Sequence, residues 1–578
     1  MAAVNFNGRK KKLTFLTHSK LKNCNMIKTE NQILRLFALR NQFGKNLAHS
    51  ALLAEKNELL NSINIEKVKN KNTLQTLYEA LLFTIAYPNN KTIYTLANRL
   101  LLQLQEYLQL DEKRSYSLYN TGITGTSVCA AFSFEMVKWL RKTRPESITL
   151  ISFEAGDAQI QSILSVVMLK TESEILQDAN AEWKGWLKHV KKQDEDLLDQ
   201  FISIFDSSDV RPEVKEELWN TIGINVAINF TDNCCLPQSL VTLYYHRSLI
   251  KKEIKQQPIL KPVKIKLTES ESEKIIDCCK MILVRKLREL DPISFTTAKF
   301  VSYYKLARGI SIALMGMVPE RRHPIDSYMG YVVFKNGLPV AYAGSWILFD
   351  SARIGLNVFT DYRGGESKYI FEQVLQLHAK VYGLKRFTVD PYQIGKYNSD
   401  GINSGAFWMY YHTGFSPLQK QQQELATAEQ QKIKANKKYR SPLAILKTLA
   451  NSRMQLVLQK GAVSFDATDI SQTYAAILAN KYKGDRNLAE KNSIKKLAVM
   501  LQIKNYEETN LNFILKNWAV LLLSNEKELR SNSVLRKMLK KLFVLKANGS
   551  EEAYITGLQN AAELKIFTER IIESYLIN

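Results

Sequence analysis

Apolar positions recur along this chain with two periods, and the change of period marks its organisation. Between residues 29 and 110 the spacing is helical. Ile33, Leu36 and Leu39 form one stripe. Leu74, Leu77, Leu81 and Leu82 form a second, which ends at Pro88-Asn89-Asn90. Leu96, Leu100, Leu101, Leu104 and Leu108 form a third. Such stripes predict amphipathic helices that pack through one face. No repeat of fixed period links them.

Residues 116–265 carry mixed signals. Asn120 to Thr126 is a small polar turn with Gly122 and Gly125, read as a tight turn with an N-cap at Thr126 or Ser127. The helical pattern behind it carries Phe132, Met136, Trp139 and Leu140. Pro145 breaks it, and Ile148 to Phe153 reads as a strand. No Lys follows the second glycine, as a phosphate-cradling P-loop requires. Trp183, Trp186 and His189 lie on a further helical stretch. Residues 266–292 predict a helix in which Cys278 and Cys279 are small buried side chains.

The pattern turns to strands between 309 and 390. Ile310–Met315, Tyr328–Phe334, Val340–Phe349 and Ile354–Phe359 read as four strands, with Lys335-Asn336-Gly337 as a hairpin turn. The turn Asp361-Tyr362-Arg363-Gly364-Gly365-Glu366-Ser367 leads into an amphipathic helix with Ile370, Val374, Leu377 and Val381. Gly383 stands where a C-cap glycine belongs. A fifth strand, Arg386–Val389, ends at Asp390-Pro391, and a helical segment runs from Ser404 to Phe415. Gln419 to Lys438 has almost no large apolar residues and predicts an exposed helix or hinge. Residues 439–578 return to helical spacing. The order predicts an α+β multidomain chain: a helical region 1–115, a mixed α/β region 116–265, an α/β domain with a mixed sheet at 266–420, and a helical region 421–578.

Size and charge narrow the picture further. A chain of 578 residues exceeds what one hydrophobic core serves. Lys and Arg number 80 against 56 Asp and Glu, a net charge of +24 that favours nucleic acid, phosphorylated cofactors or acidic surfaces as partners. The densest run, Arg9 to Lys12 with Lys20 and Lys22 behind it, reads as a solvated basic terminus. The six cysteines include the vicinal pairs Cys234-Cys235 and Cys278-Cys279, a poor geometry for structural zinc, and predict reduced thiols. No ordered metal-ligand spacing occurs among the seven histidines. No apolar signal segment follows Lys12 and no window is long and apolar enough to span a membrane, so a cytoplasmic protein is expected.

The order strand, Arg-Gly turn, amphipathic helix, strand, then a helix ending in Tyr-x-x-x-Gly-Phe resembles the acyl-CoA N-acyltransferase (GNAT) superfamily over residues of roughly 300–420. The resemblance implies acetyl-CoA or another acyl-CoA as co-substrate. Its pyrophosphate would lie on the turn Arg363, Gly364, Gly365, Glu366 and Ser367, where helix N-terminal amides favour an anion. This turn is one residue shorter than the family's. The resemblance further implies that Tyr410 protonates the leaving thiolate, and that Asp390, at the end of the fifth strand, borders the gap that takes the acyl group. Asp390, Glu366 and His412 are the candidates for the base that an amine acceptor needs. The expected function is acyl transfer to an amine of an unidentified acceptor, with a macromolecular acceptor among the options. The alternatives are a non-catalytic scaffold or regulator of this fold, and a transferase of this fold that takes aminoacyl-tRNA as donor.

Overall fold

The computed structural model of the protein describes residues 28–40, 50–177, 182–250, 261–436, 438–506 and 510–576. The basic run at Arg9–Lys12, with Lys20 and Lys22, lies outside them. The described chain is α+β, with helices at both ends and two sheets between them.

The N-terminal stripes form helices Lys71–Ala86 and Lys91–Gln109, each started by an asparagine whose side chain accepts from the first turn, Asn70 and Asn90. Behind them stands a small antiparallel sheet of β1 (Ser127–Ala131), β2 (Ile148–Phe153) and β3 (Ile224–Asn229), ordered β1-β3-β2. The N-cap expected at Thr126 or Ser127 is found instead at Ser133, whose hydroxyl accepts from the Met136 amide. Residues 127–131 are drawn into a ladder with β3. A distant strand partner overrides the local cap signal there.

The second sheet contains β4 (Val263–Ile265), β5 (Val301–Lys305), β6 (Ile310–Met315), β7 (Ser327–Lys335), β8 (Leu338–Leu348), β9 (Ser351–Ile354), β10 (Asn357–Val358), β11 (Arg386–Val389), β12 (Ser416–Pro417) and β13 (Met454–Val457). Their order is β12-β13-β11-β9-β8-β7-β6-β5-β4, with β10 beside β8. β9 and β11 run parallel; the other ladders are antiparallel. β7 and β8 are covered on both faces, which is why they read as near-continuous apolar runs. Their two-residue turn places Asn336 at φ 49° and Gly337 at φ 85°, the left-handed pair that such hairpins require.

Three boundaries differ from the sequence reading. The third strand stops at Leu348, because Phe349 at φ 50° turns the chain. The fourth run, expected as Ile354–Phe359, is two pieces, β9 and β10, separated at Gly355-Leu356. And β13, within a region expected to be helical, inserts between β11 and β12, so the sheet continues past residue 420.

Helix Ser367–Tyr382 buries Ile370, Val374 and Leu377 and ends at Gly383, φ 64°, as its sequence predicts. It packs on the sheet face that carries Ser345. His378 Nδ1–H donates to the Val374 carbonyl at 2.9 Å, and Nε2 accepts from the Ser345 hydroxyl at 3.2 Å. Burial pushes this imidazole down to about 4 from 6.5. A depressed pKa makes the neutral ring's contribution complete above the ordinary value and removes it as pH falls through the folded value. Stability should therefore drop between about pH 6.5 and 4, by up to roughly 3 kcal/mol from this group. Urea denaturation of wild type and His378→Asn across that range checks this; parallel pH profiles would contradict it.

Three hydrophobic cores result. One joins the N-terminal helices to the large sheet, one lies among the C-terminal helices and reaches Leu348 and Phe349, and one fills the middle region around Trp183, Phe201 and Trp219. Cys278 and Cys279 are buried as expected. Among the described residues no helix is long and apolar enough to cross a membrane.

Candidate functional site

The turn at 363–367 sits where β10 gives way to helix Ser367–Tyr382. Arg363 leaves it sideways, in a two-pronged ion pair with Asp400 at 3.0 and 2.7 Å. Gly364 is exposed, with φ 86°. Gly365 lies under the ring of Tyr87, from the end of the N-terminal helix Lys71–Ala86. A Cβ there would stand 2.6 Å from the Tyr87 Cζ. This glycine is required by a side chain of the same protein. Tyr87 Oη accepts from the Glu366 amide at 3.3 Å.

The Glu366 carboxylate points inward, away from the turn's outer face. It meets Arg308, the Lys335 ammonium at 2.7 Å and the Ile250 amide at 3.0 Å. Arg308 also reaches the Tyr244 hydroxyl at 3.0 Å, His246 Nδ1 at 3.1 Å and the Ser248 carbonyl at 2.6 Å. Burial pushes Lys335 down to about 8 against the pull of Glu366. The same burial drives His246 far below, and Tyr87 far above, their ordinary values. Glu366 thus belongs to a buried charge cluster. Its position in that cluster makes it a structural partner and sets it apart from the base candidates.

With Glu366 turned in, the outer face of the turn is polar and open. The amides of Gly364, Ser367 and Lys368 make no hydrogen bond within the protein among the described residues. Lys368 adds an ammonium at 4.0 Å from Glu372. Unpaired first-turn amides and the helix dipole favour an anion.

The second half of the site is the line between β9 and β11. Their parallel pairing ends at Arg353 opposite Thr388. Past it, the chain runs through Gly355 and Leu356. Tyr331 Oη donates to the Gly355 carbonyl. The Leu356 amide donates to Tyr410 Oη at 3.1 Å. Tyr410 is buried, edge-on to Phe371 at 5.1 Å and to Phe415 at 5.7 Å. Burial drives its acidity far down, so it holds its proton at neutral pH.

No family model, curated protein or solved structure matches the chain.

Asp390 stands at the far end of the same line. It pairs with Arg353 Nη1 at 3.3 Å and Arg453 Nε at 3.2 Å. Tyr410 and Asp390 therefore both border the end of the β9–β11 ladder. His412 does not: its Nε2 lies 2.9 Å from Gln430 Oε1 and its ring stacks on Trp408. Sequence reasoning missed Tyr87, Arg308, Lys335, Arg353 and Arg453. They come from separate segments, and only Lys335, in the hairpin signal, stood inside a recognised motif. Among the described residues no group of three or more side chains is set to hold a metal ion.

Proposed function

We propose that the large sheet and its flanking helices form an acyl-CoA-dependent N-acyltransferase of the GNAT type. The reading rests above all on one observation. A buried tyrosine hydroxyl is bonded to a strand amide, Tyr410 Oη to Leu356 N–H, beside the end of a parallel ladder. A helix N-terminus with open amides follows in the chain. Gly364, Ser367 and Lys368 would hold the coenzyme's pyrophosphate by amide and ammonium. The bound coenzyme supplies the thioester. The Leu356 amide donates to Tyr410 Oη and so fixes the hydroxyl, whose own proton stays free to be given away. Tyr410 keeps a proton available for the departing sulfur. Asp390 is the carboxylate nearest in the chain to the ladder's end, ready to accept a hydrogen bond from an acceptor amine.

The test is calorimetric titration of the full chain with acetyl-CoA and with free coenzyme A. Micromolar binding is expected. Lys368→Gln, which removes the ammonium without adding a carboxylate beside Glu372, should weaken it roughly tenfold, about 1.4 kcal/mol. Absence of binding to either ligand would remove this function.

One observation favours a second reading, a non-catalytic scaffold. Tyr87 caps the underside of the turn and ties it to the N-terminal helices. In that case the turn serves to join regions, and neither ligand binds.

A further inference from the structure

The face of the sheet turned away from helix Ser367–Tyr382 carries a cleft of about 480 Å³. Register places Trp346, Arg353 and Thr388 side by side on that face, opposite one another on β8, β9 and β11. Ile354, one residue on from Arg353, lies opposite Ser345, the partner of His378, and so points to the other face. The first turn of helix Ala467–Tyr482 closes the cleft from above, with Asp466, Asp469 and Ser471 in its wall.

The wall holds both signs of charge with unused bonding capacity. Arg353, Arg386 and Arg453 line it. The Nη2 group of each makes no hydrogen bond among the described residues. Arg353 Nε is buried and also has no partner. The Arg353 guanidinium lies over the Trp346 ring at 4.6 Å, and Trp346 is itself stacked on Tyr328 at 4.2 Å. The cation is thereby held in place by stacking, with Nη1 turned to Asp390 and Nε and Nη2 left without a hydrogen bond among the described residues. On the acidic side, Asp326 uses Oδ1 toward His323 and Asp469 uses Oδ2 to accept from the Asp466 amide. Their second oxygens have no hydrogen bond among the described residues.

Two arginine–aspartate pairs elsewhere in the protein are short and two-pronged. Arg144 holds Asp277 at 2.7 and 2.6 Å, and Arg363 holds Asp400 at 3.0 and 2.7 Å. Those of Asp390 with Arg353 and Arg453, at 3.3 and 3.2 Å, are longer and lack hydrogen-bond geometry. A ligand of single charge would satisfy one side of such a wall and leave the other unanswered. A ligand that carries both charges satisfies both.

We propose that this cleft binds a small zwitterionic amine, a free α-amino acid, with its carboxylate on the arginine side and its ammonium on the aspartate side. Guanidinium groups match a carboxylate in geometry as well as charge. The hydroxyls of Ser351, Thr388 and Ser464 in the same wall suit a polar ligand of this size. Arg353 lines the cleft, ends the β9–β11 ladder and pairs with Asp390, so the amine lies at the ladder's end on the sheet face opposite Tyr410, whose ring packs on Phe371 of helix Ser367–Tyr382. This names the acceptor class for the acyl-transfer reading and rests on that reading for the amine's fate. The binding itself does not depend on the coenzyme.

The experiment is titration of the full chain, without coenzyme, with glycine, L-leucine, L-lysine and L-glutamate, and with acetate and methylammonium as single-charge probes. At least one amino acid should bind at millimolar concentration or below, and more tightly than either single-charge probe. Ser471→Trp, an exposed helix position at the rim, should abolish the binding by filling the cleft. Arg353→Gln should weaken it roughly tenfold or more. Binding that persists unchanged in Ser471→Trp would place it elsewhere and overturn the inference. So would acetate or methylammonium binding as tightly as the amino acids, or no amino acid binding at all. Acyl-CoA titration of the same sample fails or succeeds separately, so the two readings fall independently.

Discussion

Replacing Glu366 by glutamine is expected to lower the unfolding transition of the full chain by about 2–4 °C. Glu366 is the carboxylate that Arg308 and Lys335 share in the interior, and Lys335 is fully buried. Removing one partner of a buried ion pair typically costs about 3–5 kcal/mol, because a desolvated charge is left without an answer. Here two cations would face each other. Glutamine keeps the shape and the hydrogen bond with the Ile250 amide, so the loss reports charge and not volume. The double variant Glu366→Gln with Lys335→Met should recover a large part of the loss, since it removes the stranded ammonium together with its partner. Thermal and urea unfolding of both variants measure this. A loss below about 1 kcal/mol, the range of an exposed pair, would show that the cluster is solvated.

The same cluster shows what the sequence could and could not tell. The helices of the N-terminal region were legible because each buries one stripe and starts at an Asn cap. The hairpin at Asn336-Gly337 and the C-cap at Gly383 were legible because only a few residues accept left-handed backbone. The turn at 363–367 was found for its glycines, but the reason for one of them was not. Gly365 makes room for Tyr87, a residue far away in the chain. Likewise Glu366 was counted in the phosphate-binding turn and among the base candidates, whereas its carboxylate points inward to Arg308 and Lys335. Local pattern specifies turns and amphipathic faces. Pairings between distant segments leave no local mark, and for that reason β13 was read as helix and the partners of Asp390 were not foreseen.

Tyr410→Phe is expected to lower acyl transfer by roughly 100-fold or more while acyl-CoA affinity stays unchanged. A positioned proton donor contributes about 10²–10⁴ in rate, and it acts on the departing sulfur, not on binding. The substitution retains the ring contacts with Phe371 and Phe415 and deletes only the hydroxyl. It also leaves the Leu356 amide without its present acceptor, a loss of about 1–3 kcal/mol in stability. Two readouts separate these effects. Unfolding reports the amide, and thiol release from acetyl-CoA in the presence of amino acids reports the chemistry. A fall in kcat with constant KM, in a variant that is folded at the assay temperature, would place the hydroxyl on the reaction path. Equal turnover in Tyr410→Phe and wild type would assign the hydroxyl to holding Leu356 alone. The donor would then have to be sought among groups at the end of the β9–β11 ladder. A protein that binds the coenzyme but releases no thiol with any amine would return the turn and its tyrosine to the scaffold reading, in which Tyr87 and Tyr410 fix the same turn and strand from two sides.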